Sequence, residues 1–131
     1  MQSPFVVISR VPGLRIILFK RLSSIVNDVE SMHKTFRDSI AALDTVDRGQ
    51  HGLLVDLRDG PMRNDPQFEG AFMTYAQRLY GEFAGIAVLA KTSVGKLQLS
   101  RFAKMVNIDM TVFDDEGEAI HFLTELLSKP R

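Results

Sequence analysis

Five short apolar runs punctuate the chain: Phe5–Ile8, Leu14–Phe19, Gly52–Leu57, Ile86–Ala90 and Met110–Phe113. Each has the length of a strand rather than of a helix. Val, Ile and Leu follow one another instead of alternating with polar residues, which predicts strands covered on both faces. Between the first two runs, Pro12-Gly13 suits the central positions of a type II turn, with glycine supplying the positive φ. The chain is therefore expected to open with a β-hairpin.

Four helical stretches separate and follow the remaining runs. In the first, Ile25, Val29, Met32, Phe36, Ile40 and Leu43 recur at steps of three and four and share one face, with Ser23 or Ser24 as the expected cap. The second starts at Pro66, a favoured first helical residue, behind Asp65 as N-cap. Its stripe is Phe68, Phe72, Tyr75, Ala76, Leu79 and Phe83, and Gly85 is expected to close it. The third runs from Thr92 or Ser93 to about Asn107 and is expected to bury Leu99, Phe102, Ala103 and Val106. The fourth begins at Asp114-Asp115 and is expected to bury Ala119, Ile120, Leu123, Leu126 and Leu127, ending before Lys129-Pro130.

The predicted order is β-β-α-β-α-β-α-β-α, an α/β fold with a mixed, mostly parallel five-stranded sheet and four helices. No repeat, low-complexity tract or linker interrupts it, so residues 1–131 are read as a single domain. The 131 residues are enough for a hydrophobic core without staples. Sixteen basic side chains balance sixteen acidic ones, which argues against a general nucleic-acid binder. Without cysteine there is no disulfide framework, thiolate nucleophile or Cys-ligated metal. The apolar runs are too short to span a bilayer, and Met1-Gln-Ser-Pro has no positive n-region, so a cytoplasmic location is predicted, with no integral-membrane segment.

Candidate chemistry is sparse. There is no Gly-x-Ser-x-Gly elbow, and His33, His51 and His121 are read as surface residues with no metal-ligand spacing among them. Asp114-Asp-Glu-Gly-Glu118 reads as a capping box, Asp115 with Glu118, rather than as a cation site. No catalytic residue, metal or cofactor is implied. Gly95-Lys96 fails the phosphate-loop pattern at Ala90 and Leu97. Thr92, Ser93 and Lys96 nevertheless form a candidate anion site at a helix start, set against plain capping. The segment Asp56-Leu-Arg-Asp-Gly-Pro-Met-Arg-Asn-Asp-Pro66 leaves a buried strand and enters a helix, where open α/β sheets place ligands. Asp56, Arg58, Arg63 and Asn64 are its candidate ligand or partner contacts. Arg58 and Arg63 are suited to a carboxylate or phosphate, against the simpler reading that Arg58 pairs with Asp56 or Asp59. Met73 and Tyr80 fall off the main stripe of the second helix and are candidates to line a pocket or interface.

The element order, the opening hairpin and Gly52-Leu-Leu-Val-Asp-Leu-Arg-Asp59 followed by a helix resemble the STAS superfamily. That superfamily includes the bacterial anti-sigma-factor antagonists and their SpoIIAA-like relatives, and the likeness runs over nearly the whole chain. Antagonists of this family carry a phosphorylatable serine in the loop after this strand, whereas Arg58–Pro66 contains no serine or threonine. The nearest hydroxyls in a comparable setting are Thr92 and Ser93. The SpoIIAA-like group is related in fold to lipid-carrying CRAL-TRIO domains, and the resemblance implies binding rather than catalysis.

The expected function is thus a non-catalytic cytoplasmic signalling module that binds a protein partner through the loops around Arg58–Asp65 and Thr92–Lys96. The alternative is a binder of a small amphipathic or lipid-like anion, with Arg58 or Arg63 on the head group and second-helix side chains on the tail. That alternative requires a concave apolar pocket. An enzyme ranks third, for want of an activated nucleophile or base. A neutral chain also permits a homo-oligomer without specifying its interface.

Overall fold

Strands β1 (Val6–Arg10) and β2 (Ile16–Arg21) pair antiparallel as the expected hairpin. At its turn the Leu14 N–H donates to the Val11 carbonyl at 3.2 Å, and Gly13 takes φ +76°, which a side chain would oppose. The computed structural model describes residues 1–24, 28–60 and 66–129. After the hairpin come α1 (Val29–Leu43), β3 (Gly52–Asp56), α2 (Pro66–Tyr80), β4 (Gly85–Leu89), α3 (Ser93–Val106), β5 (Thr111–Phe113) and α4 (Glu116–Ser128). A single 3-10 turn at Arg48–Gln50 leads into β3.

The sheet order is β1-β2-β3-β4-β5, with every pair from β2 onward parallel. Each crossover steps one strand in the same direction. Right-handed connections then deposit α1, α2 and α3 on one face and leave the other to α4. Side chains sort accordingly at a period of two. Ile17, Phe19, Leu53, Val55, Ile86 and Val88 pack with Ile40, Leu43, Ala76 and Leu79 on the three-helix side. Ile16, Leu54, Ala87 and Leu89 meet Ala119 and Leu123 of α4 on the other. Sandwiched between the layers, β3 is buried at every position, which is why its sequence does not alternate. Two strand-opening glycines let α4 approach: a Cβ on Gly52 would lie 3.1 Å from Leu123 Cδ2, and one on Gly85 2.9 Å from Leu126 Cδ1.

Several element ends differ from the sequence expectation. The cap of α1 is Asp28, whose Oδ1 accepts from the Ser31 N–H at 2.7 Å, not Ser23 or Ser24. Ile25 and the proposed cap Asp65 lie outside the described residues. Helix α2 stops at Tyr80, and Glu82, at φ 72°, makes the left-handed turn that had been expected near Gly85. Gly85 instead opens β4, and Phe83 lies beyond the helix. Asn107, at φ 56°, ends α3. Asp115 caps α4 as expected, accepting from the Glu118 N–H at 2.9 Å.

Two histidines read as surface residues are not. His51 is buried: Nδ1 must donate to the Asp47 carbonyl at 2.7 Å, and Nε2 accepts from Arg10 at 3.3 Å. His33 is half-buried and shares a 2.7 Å hydrogen bond with the Tyr75 hydroxyl. Only His121 is exposed, 4.0 Å from Glu125. The sequence placed each ring correctly on its element, but neighbouring elements close over the first two.

Candidate functional site

The three-helix face is not filled to the end. Leu99, Phe102 and Ala103 were expected in the core, yet α3 buries only Val106 among its side chains, and those three remain half-buried. Between α3, α1, α2 and the carboxyl ends of β2, β3 and β4 lies a cavity of about 340 Å³. Its wall is mostly apolar and dominated by the rings of Phe5, Phe19, Phe36, Phe68, Phe72 and Phe102. Several of these rings brace one another: Phe72 meets Phe102 edge to face with centroids 5.2 Å apart, and Phe68 at 6.3 Å. Phe36 stacks on Tyr75 at 5.1 Å. The site is thus a slot between rigid rings at the end of a parallel sheet, where this class of fold places ligands.

Polar groups interrupt the wall, Thr35 and Ser39 from α1 and Gln98 from α3 among them. Arg21 closes β2, Arg58 and Gly60 follow β3, and Lys91, Thr92 and Gly95 follow β4, all lining the cavity. Lys91 and Thr92 are the exposed members of the lining and mark its mouth. Thr92 caps α3, its Oγ1 accepting from the Gly95 N–H at 3.0 Å. Lys91 makes no ion pair among the described residues.

Arg58 is anchored rather than free. Its Nε and one Nη donate to the two oxygens of Asp56 at 3.0 Å each, and its backbone N–H adds a 3.1 Å bond to Oδ1. The same Nη lies 3.9 Å from Glu116, tying the end of β3 to the start of α4. Asp56 is 3% exposed. Burial pushes its carboxyl up, but the Arg58 hydrogen bonds and charge, with help from Lys20, outweigh that and hold it below the usual carboxylate range. Asp56 therefore stays ionised as an acceptor for Arg58. The simpler sequence reading, pairing within the loop, describes Arg58 correctly, and the residue still lines the cavity.

The other sequence candidates scatter. Arg63 and Asn64 lie outside the described residues. Lys96 turns away from the cavity lining and pairs with Asp114 at 2.9 Å, and Ser93 is an exposed first residue of α3. Tyr80 lines the cavity, though as a core residue 6% exposed, and burial pushes its phenol far up against the opposing charge of Arg21. Met73 does not line it: one residue past Phe72 on α2, it points outward at 38% exposure. Arg21, Lys91, Gln98 and Phe36 of α1 were missed as cavity residues. The available signal was positional, since Arg21 ends β2 and Lys91 lies two residues past β4. No described group of three or more His, Asp and Glu is placed to hold a metal ion, and no described helix is long and apolar enough to cross a membrane.

No protein-family model matches the chain, and no curated protein matches it closely. A solved structure does: the crystal structure of an uncharacterized protein of the DUF3478 family with a SpoIIAA-like fold, from Shewanella loihica. The superposition covers 94% of this chain and 98% of that one, with a TM-score of 0.62 at 17% sequence identity. The fold read from the sequence, a SpoIIAA-like α/β architecture with a five-stranded sheet and four helices, is the fold of this chain.

Proposed function

We propose that this SpoIIAA-like domain is a non-catalytic binder of a small amphipathic anion, an apolar tail lying between the phenylalanines and an acidic head meeting Lys91 and Arg58. The observation that carries the reading is the aromatic cavity of about 340 Å³, lined by Arg21, Arg58 and the exposed Lys91 at the carboxyl ends of β2, β3 and β4. That volume lies within the range of small-molecule sites, and an apolar wall with few convergent polar groups is their usual chemistry. Burying a tail of ten or so methylenes would supply several kcal/mol, at roughly 0.8 kcal/mol for each buried CH₂. A partly solvated Lys91 would contribute orientation more than affinity. The sequence alone ranked a protein-interaction module first. A concave apolar site, the requirement set for the ligand reading, reverses that order.

The test exploits the absence of tryptophan from the chain. Leu99→Trp puts an indole on the cavity wall, where it both reports and obstructs. Titrating the wild-type chain with decanoate and with decanol, by calorimetry, should show saturable binding with a preference for the acid. Leu99→Trp should bind more weakly, and its emission should shift as decanoate enters. Lys91→Glu should remove the preference for acid over alcohol. Absence of heat with either probe, or binding indifferent to Leu99→Trp, would refute the proposal.

A further inference from the structure

Helix α3 has a second apolar face, pointing away from the cavity. Val94, Leu97 and Met105 are 66%, 67% and 64% exposed, the most exposed large hydrophobics of the described residues. With Arg101 they recur at steps of three and four. At roughly 100° per residue they therefore form one stripe, some 16 Å long, opposite Leu99, Phe102 and Val106. Lys104 borders the stripe and Lys91 precedes the helix. Helix α3 contains no acidic residue, although the chain as a whole carries no net charge. Arg101 and Lys104 make no ion pair among the described residues, and the near acid Asp114 is committed to Lys96. Local charge is thus positive exactly where aliphatic side chains meet water.

The geometry points to this face as a docking surface for an anionic lipid bilayer, with Val94, Leu97 and Met105 entering the interface and Arg101, Lys104 and Lys91 meeting the head groups. The chemistry favours lipid over a folded protein partner. The stripe is convex and aliphatic with no aromatic anchor, and lysine, which protein interfaces deplete, supplies much of its charge. Basic residues interleaved with aliphatic ones on one side of a helix are the pattern of interfacial association. The inference does not depend on the cavity being filled. If both hold, the helix that touches the bilayer is the one whose inner side walls the cavity.

The experiment is flotation of the full chain with vesicles of phosphatidylcholine alone and of phosphatidylcholine mixed equally with phosphatidylglycerol. Flotation with the mixed vesicles only, weakened by added salt, is expected. Leu97→Glu with Met105→Glu, and separately Arg101→Glu with Lys104→Glu, should each reduce vesicle partitioning by more than about tenfold. Arg37→Glu on α1, an equally exposed charge reversal, should leave it unchanged. All these positions are exposed, so unaltered melting curves will show that the fold is kept. No flotation, equal flotation with both vesicles, or equal losses with Arg37→Glu would overturn the inference. Binding to soluble polyglutamate through the same residues, without flotation, would assign the face to an acidic protein and overturn it as well. None of these outcomes bears on decanoate binding, so the two proposals stand or fall separately.

Discussion

Arg58 encloses the carboxylate of Asp56 two residues upstream, with Nε and Nη each 3.0 Å from a different oxygen and the Arg58 backbone N–H at 3.1 Å. The Arg58 side chain is left two-thirds covered and lines the cavity, while the carboxylate is buried. Fork geometry of this kind fixes a cation that would otherwise sample many rotamers.

Removing the fork should strand a buried charge. Arg58→Ala is expected to lower stability by about 1–3 kcal/mol, read as a fall in the denaturation midpoint at constant slope. Asp56 also sets a pH dependence. Its folded carboxyl titrates below the ordinary value of 3.8, so its contribution is fully present above that pH and is lost as the pH falls through the lower folded value. Asp56→Asn should flatten the acid limb of the stability curve below about pH 4. An unchanged limb would show that other carboxyls dominate acid unfolding.

Capping and ligand contact can be separated at Thr92. Thr92→Ala removes the acceptor for the Gly95 N–H and should cost about 1 kcal/mol. Thr92→Asp keeps an N-cap acceptor but adds a negative charge at the mouth. It should melt near the wild-type temperature while binding decanoate several-fold more weakly. If both variants bind like wild type, Thr92 is a cap alone.

Arg48 is 7% exposed and closes the end of α2, donating to the carbonyls of Leu79 at 3.2 Å and Gly81 at 2.9 Å. It also pairs with Asp44 at 2.8 Å and lies 5.0 Å over the Phe83 ring. A lysine can satisfy one or two of these partners but not the planar set. Arg48→Lys is therefore expected to lose about 2 kcal/mol in chemical denaturation. Full retention of stability would mean that the carbonyls are satisfied by water.

Glu82 pays a backbone penalty at φ 72° with its side chain exposed. Glu82→Gly should relieve it and raise stability by about 0.5–1 kcal/mol, measurable as a higher melting temperature. A lower melting temperature would show that the glutamate side chain contributes more than its strain.

What the sequence determined by itself was whatever depends on neighbours along the chain. Unbroken Val-Leu runs mark Leu53–Val55 and Ile86–Leu89 as strands buried on two faces. Steps of three and four place Met32, Ile40 and Leu43 on one side of α1, and Asp115 before Glu118 marks the start of α4. The pairing of Arg58 with Asp56 was legible for the same reason, being two residues apart. Only tertiary structure decided which stripes found a partner. Leu99 and Phe102 carry a core-facing period, yet they border a cavity shared with α1 and α2. Tyr80 and Met73 looked alike as residues off the stripe, and the approach of β2 buried one while the other kept its solvent. Periodicity fixes the direction of a side chain about its own helix. Whether protein, ligand, lipid or water lies in that direction depends on elements distant in sequence, and no local pattern encodes that distance.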